Sequence, residues 1–166
     1  MPIEIRPMRN EDARAFLEVH RAAVHGTAAK DYPRAVIEDR ACLPITDEHI
    51  EGVRANRDRE IRLLAEIDGE IVGLGAIVLA TSELRACYVA PGAARKGVGS
   101  ALVRQLERIA REHGVERLEL DASLTSERFY ASLGYQVRER GEHVLRSGRR
   151  MACVRMAKCL SPATSG

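Results

Sequence analysis

Apolar and charged residues alternate over Ile3 to Arg6 and afterwards recur every three to four positions, so the chain opens as a short strand followed by a helix. Pro7 closes the strand. Asn10 is placed to cap the helix, Glu11 and Asp12 occupy its first turn, and Ala13, Phe16, Leu17, Val19 or His20, Ala23 and Val24 form an apolar stripe down to Gly26. Helical spacing returns from Pro33 through Val36, Ile37 and Cys42 to a stop at Pro44, and again from Asp47 to about Asn56. The period then shortens. Arg62 to Ile67 and Ile71 to Ala80 flank Asp68-Gly69-Glu70, a hairpin signal because Asp-Gly accepts the left-handed backbone of a tight turn. Glu83 to Val89 is the next strand. Val98 to His113 is a helix with Leu102, Val103, Leu106 and Ile109 inward and Gly114 as its stop. Val115 to Asp121 alternates as a strand, Thr125 to Leu133 is a short helix, and about Tyr135 to Arg140 and Arg149 to Ala157 form a closing hairpin.

Hairpins first and a right-handed helical crossover afterwards imply an α/β fold: a mixed sheet with helices on both faces. The length of 166 residues suits one domain, residues 1–160, with the small polar stretch Ser161 to Gly166 as a disordered tail.

Composition narrows the function classes. Hydrophobic residues make up 45% and charged residues 30%, as in a soluble globular protein. The apolar run Ile71 to Ala80 is too short to span a bilayer, and Glu4, Glu11 and Asp12 interrupt any leader-like start, so the expected location is cytoplasmic. A net charge of +2 and the absence of Trp argue against nucleic acid, because no aromatic residues interleave with the basic cluster Arg138, Arg140, Arg146, Arg149 and Arg150. That cluster, diluted by Glu139 and Glu142, reads as a solvated hairpin face, with a cationic rim that attracts an acidic substrate as the alternative. Cys42, Cys87, Cys153 and Cys159 lack metal-ligand spacing, so no metal is expected, and Cys42, Cys87 and Cys153 sit in apolar contexts that suit small hydrophobes. Cys87 as an acyl-accepting nucleophile is the weaker alternative, since no His stands near it in sequence.

Two motifs carry chemistry. In Tyr88-Val89-Ala90-Pro91-Gly92-Ala93-Ala94-Arg95-Lys96-Gly97-Val98-Gly99-Ser100, Pro91 and Gly92 break a strand, and Gly97 and Gly99 let backbone approach a ligand where a helix begins. Unpaired N–H groups and the positive end of the helix dipole favour a phosphate there, and Arg95 and Lys96 add charge. Alone, this also fits an ordinary strand-to-helix turn. The second motif, Ser123-Leu124-Thr125-Ser126-Glu127-Arg128-Phe129-Tyr130-Ala131-Ser132-Leu133-Gly134-Tyr135, follows at the expected distance.

Together they resemble the GNAT superfamily of N-acetyltransferases, over about Ile61 to Tyr135. The resemblance implies a mostly antiparallel sheet with a splayed parallel pair, acetyl-CoA as co-substrate, and an amine of a small molecule or protein as acceptor. The absence of a His or Cys-His pair near Cys87 points to direct transfer in a ternary complex rather than through an acetyl-cysteine. Ala94, Arg95, Lys96, Gly97, Val98, Gly99 and Ser100 then hold the pyrophosphate, and Cys87 and Val89 pair with the pantetheine arm. Ala94 departs from the family's Gln or Arg at the first position of its phosphate motif, and Ser123 replaces a frequent Asn.

By position Tyr130 inherits the role of general acid, a phenol of pKa about 10 facing a thiol of about 8.5. Glu83, on the strand leading into the loop, is the first candidate base, with Asp121 and His25 behind it. His25, Tyr32, Arg34 and His143 are candidates for the acceptor site. Expected partners are acetyl-CoA and the amine, with a homodimer open and no nucleic acid or membrane. A non-catalytic acyl-CoA-binding module is the competing class, favoured slightly by Ala94. A dinucleotide-binding domain is disfavoured because no Gly-x-Gly-x-x-Gly follows an opening strand.

Overall fold

The computed structural model describes residues 2–162; of the expected tail, residues 163–166 lie outside the described residues. Seven strands form one sheet: β1 (Glu4–Pro7), β2 (Ile61–Ile67), β3 (Glu70–Val78), β4 (Glu83–Val89), β5 (Arg117–Ser123), β6 (Gln136–Val144) and β7 (Arg150–Cys159), in the order β1-β2-β3-β4-β5-β7-β6. All neighbours are antiparallel except β4 and β5, which run parallel. The mixed α/β architecture expected from the sequence is therefore present.

The β2–β3 turn at Asp68 and Gly69 has φ of 52° and 79°, the two left-handed positions that Asp-Gly supplies. Five helices cover the sheet: α1 (Ala13–Thr27), α2 (Arg34–Arg40), α3 (Asp47–Ala55), α4 (Val98–Glu112) and α5 (Glu127–Ser132). One face packs on α4, where Leu102, Val103 and Leu106 meet Leu63, Ile77, Leu84, Leu118 and Leu120. On the other face Val19 of α1 meets Leu64 and Leu74.

Helix α4 lies close to the sheet because β3 carries glycine beneath it. A Cβ on Gly73 would stand 2.8 Å from a Val98 methyl, and one on Gly75 would stand 2.8 Å from a Leu106 methyl. Its orientation is further held by Glu107, which is 3% exposed and accepts from Lys158 Nζ at 3.0 and 3.1 Å and from the Tyr135 hydroxyl at 3.1 Å. Burying that carboxylate is tolerable because each of its oxygens is met by a donor.

Several boundaries differ from the sequence expectation. Residues Asn10 to Asp12 form a 3-10 turn, and the capping oxygen is that of Asp12, which accepts from Arg9 N at 2.7 Å rather than from an Asn10-capped helix. Arg6 binds the same carboxylate at 2.8 Å and, as the larger influence, holds Asp12 below the usual carboxylate range. Helix α2 stops at Arg40, so Cys42 lies beyond it. Cys42 is exposed, 3.6 Å from His49 Nε2, and not the small core hydrophobe its neighbours suggested. Strand β6 runs to Val144, longer than its alternation implied, since every residue of it is exposed and no apolar face marks its extent.

Candidate active site

Strands β4 and β5 are joined at one register pair only, Glu83 opposite Glu119, with Glu119 N–H donating to the Ser82 carbonyl at 3.0 Å. Beyond it β4 pairs with β3 alone and β5 with β7 alone. The pair diverges, and a cleft of about 560 Å³ opens between the strands. Cys87 and Val89 line it from β4, Asp121 and Ser123 from β5, Phe129 and Tyr130 from α5, and Val24, Thr27 and Arg40 from the α1 side.

At the mouth of the cleft the chain turns from β4 into α4. Arg95 has φ of 63° and Gly97 of 82°, and this pair of left-handed positions wraps the backbone around the start of the helix. No acceptor among the described residues meets the N–H groups of Arg95, Lys96, Gly97, Val98, Gly99 or Ser100; the first bonded amide is Ala101, to the Gly97 carbonyl at 3.0 Å. Six consecutive free amides at the positive end of a helix form an anion cradle. Five of those six residues, together with Ala94, line the cleft; Lys96 is exposed outside it.

Strand geometry supplies another donor. The Ala90 N–H donates toward β3, to the Val72 carbonyl at 2.8 Å. Because successive N–H groups on a strand point to opposite sides, those of Val89 and Cys87 point away from β3 into the opening. The Cys87 thiol packs at 3.7 Å from the Gly99 carbonyl, and burial pushes its pKa up to about 12. That direction disfavours the thiolate a nucleophilic cysteine needs.

Tyr130 is 6% exposed, edge-on to Phe129 and Tyr135 with centroids 5.0 and 5.8 Å away. Its hydroxyl meets no partner among the described residues. Burial, with smaller contributions from Cys87, Tyr88 and Tyr135, drives its pKa well above 10.0, so it holds its proton throughout the neutral range.

The remaining sequence candidates fall elsewhere. The Glu83 carboxylate is clamped by Arg85 at 2.9 and 3.1 Å and faces a smaller hollow with Thr81, Glu119 and Asp121, outside the main cleft. Asp121 borders both cavities and contacts Arg155 at 3.3 Å. Tyr32 does not face the cleft: its hydroxyl donates to the Ala152 carbonyl at 2.6 Å and accepts from Leu124 N at 2.7 Å, tying the α1–α2 connection to β7 and the end of β5. His25 is engaged with the Ala41 carbonyl at 2.7 Å, Arg34 pairs with Glu38 at the surface, and His143 is exposed on β6. Ser123 Oγ accepts from Ser126 N at 3.2 Å, so it closes the turn into α5 at the cleft edge.

Among the lining residues that sequence reasoning missed are three that carry polar groups into the site. Thr125 has a buried hydroxyl oxygen without a partner among the described residues, Tyr88 faces α1, and Arg40 reaches the cleft from α2. Thr125 and Tyr88 lie inside the two motifs and were within reach of inspection. Arg40 carries no local signal, because only the packing of α2 against the sheet brings it there.

The acetyltransferase (GNAT) family model matches residues 18–135, more than half of the chain. The chain belongs to the GNAT family. No curated protein matches the sequence. A GCN5-related N-acetyltransferase from Rhodopseudomonas palustris is 26% identical, with a TM-score of 0.88 over 96% of this chain and 97% of that one. The PaiA N-acetyltransferase of Thermoplasma acidophilum, in complex with coenzyme A, is 22% identical, with a TM-score of 0.74 over 96% and 99%. The protein yncA of Salmonella typhimurium, with acetyl-CoA, is 22% identical, with a TM-score of 0.70 over 100% and 98%. Acetyl transfer is thus the general chemistry of this GNAT chain. Among the described residues no helix is long and apolar enough to cross a membrane.

Proposed function

We propose that residues 1–160 act as one domain that moves the acetyl group of acetyl-CoA directly to a primary amine. The observation that carries this is the junction of the free amides of Arg95 to Ser100 with the β4–β5 opening, at whose inner end Tyr130 stands. Acetyl-CoA supplies the activated thioester. The amides of the α4 start bind its pyrophosphate, Cys87 and Val89 pair with the pantetheine through their outward backbone, and the Val89 N–H meets the carbonyl oxygen as negative charge gathers on it.

The proton balance is set by burial. In water a phenol gives its proton to a thiolate uphill, by about 1.5 pKa units or ~2 kcal/mol. Burial shifts both partners upward, a sulfur in the wall to about 12 as at Cys87 and the Tyr130 phenol well above 10.0. The cleft therefore does not turn the transfer downhill; Tyr130 contributes a donor that is always protonated, held where the thiolate departs.

For the acceptor's proton the structure favours a different carboxylate from the one the strand position suggested. Both carboxylates are ion-paired, Glu83 with Arg85 at 2.9 and 3.1 Å and Asp121 with Arg155 at 3.3 Å, but of the two Asp121 alone also lines the main cleft. Asp121→Asn is expected to depress the rate most near pH 6 and least where the amine is already neutral, while Glu83→Gln shifts the rate without changing the shape of that profile. A pH profile of kcat/KM for both variants decides between them; the reverse pattern returns the role to Glu83.

The reading is tested by thiol release from acetyl-CoA with polyamines, aminoglycosides, amino acids and peptides. Initial-rate plots are expected to intersect, and Cys87→Ala is expected to retain most activity. Parallel plots together with an acetylated Cys87 peptide would require a covalent relay. Binding of acetyl-CoA with no thiol release to any acceptor would leave an acyl-CoA-binding module.

A further inference from the structure

Three cationic side chains in the cleft wall, Lys30, Arg40 and Arg85, have no part in the chemistry above, and Lys30 is exposed. Arg40 ends α2, lines the cleft and is half-buried. Its Nη2 donates to the Tyr88 hydroxyl at 2.9 Å, and its guanidinium carbon lies 5.7 Å from the centre of that ring. Among the described residues it makes no ion pair. Arg85, which also borders the cleft, is by contrast paired with Glu83, Asp58 and Glu60.

A guanidinium presents five donors in a rigid fork. Here one is engaged, on a neutral oxygen. The surroundings do nothing to cancel the charge. His20 lies edge-on to Tyr88 with centroids 4.6 Å apart, its Nδ1 accepts from Arg21 at 2.8 Å, and burial, reinforced by Arg21 and Arg40, holds its pKa down at about 3. It is neutral, and Arg21 adds a second positive charge behind it. A half-desolvated cation in such a wall gains most from a planar anion that accepts two parallel hydrogen bonds.

The head group is also held in place. His25 Nε2 donates to the Ala41 carbonyl at 2.7 Å and pins the end of α2 to α1, while Tyr88 fixes the guanidinium from the sheet. The anion it awaits is not the pyrophosphate. Cys87 and Val89 pack toward α4, where the free amides lie, whereas Tyr88 packs toward α1, so Arg40 is on the opposite face of β4. It is nevertheless near the reacting end, since its charge favours the ionised form of Tyr130.

We propose that Arg40, seated on Tyr88, binds a carboxylate carried by the acceptor, so that the acceptor is an amino acid or a close analogue and not a polyamine. Tyr88 and His25 are positioning residues for this contact. The assignment rests on the acetyl-transfer reading, and the experiment separates the two.

Matched acceptors are compared at saturating acetyl-CoA: L-methionine, L-glutamate and L-lysine, each against its α-carboxamide. The acids are expected to exceed the amides by about 10²-fold in kcat/KM, the effect of one desolvated, hydrogen-bonded charge pair. Arg40→Gln is expected to erase that ratio by raising KM for the acid alone, Arg40→Lys to restore part of it, and Tyr88→Phe to raise the acid's KM with kcat unchanged. Acids and amides that react alike, or an Arg40→Gln variant that slows both equally, overturn the proposal and leave acetyl transfer standing. If no amine releases thiol, the same pairs are titrated calorimetrically into the protein–CoA complex. Acid-selective binding lost in Arg40→Gln then upholds the carboxylate site while the transfer reading fails, and absence of binding overturns both.

Discussion

Replacing Tyr130 by phenylalanine is expected to lower the turnover number by about 10²-fold while acetyl-CoA binds as before. The substitution removes one oxygen and keeps the ring that packs edge-on against Phe129 and Tyr135, so the fold is not the variable. Removing a hydroxyl with no protein partner among the described residues also leaves no donor or acceptor stranded, and melting temperature is expected to hold. The loss belongs to the leaving group. Without a donor a thiolate departs unprotonated into a wall where burial raises the pKa of a sulfur to about 12. Acceptors are expected to be affected alike, since the missing proton goes to the thiolate whichever amine attacks. Because Tyr130 keeps its proton far into the alkaline range, the wild-type rate is expected to show no alkaline fall from this group below pH 10. Stopped-flow single turnovers distinguish chemistry from product release; an unchanged single-turnover rate would return Tyr130 to packing.

How much of this was legible in the sequence depends on the range of the interactions involved. The Asp68-Gly69 hairpin, the α4 stripe of Leu102, Val103 and Leu106, and the glycine-rich loop are set by residues within a few positions of one another, and each sits where its pattern placed it. The opening between β4 and β5 is different. It depends on which strands pair: β4 and β5 share the single Glu83–Glu119 register, while β5 pairs along its length with β7 on its other edge. Local pattern carries no trace of that choice, and only the family resemblance anticipated a splayed pair. The same limit explains the acceptor-side candidates. Tyr32 and His25 are polar residues near the right helices, but their polar atoms are consumed by backbone carbonyls and an amide from distant segments, which spacing along the chain does not reveal. Arg40 was passed over for the converse reason: a helix-ending arginine reads as a surface cation until α2 is packed against Tyr88.

Gly99→Glu is expected to weaken acetyl-CoA binding by about 10³-fold, the worth of roughly two charge-assisted hydrogen bonds. Two effects act together. A Cβ on Gly99 would stand 3.0 and 3.1 Å from the edge of the Phe129 ring, so any side chain there displaces the ring beside Tyr130 or turns into the cradle. In the cradle, its carboxylate becomes an internal competitor for the amides of Arg95 to Ser100, and a negative charge at a helix N-terminus is itself stabilising. The variant is therefore expected to melt no lower than the parent while losing the ligand, which separates a blocked site from a damaged fold. Gly99→Ala supplies the intermediate case: it carries the Phe129 clash without the charge and is expected to lose affinity several-fold only. Calorimetric titration of acetyl-CoA into parent and both variants, with thermal melts alongside, measures all three quantities. Unaltered affinity in Gly99→Glu would mean that the pyrophosphate is bound away from the start of α4, and the six free amides would then need another anion.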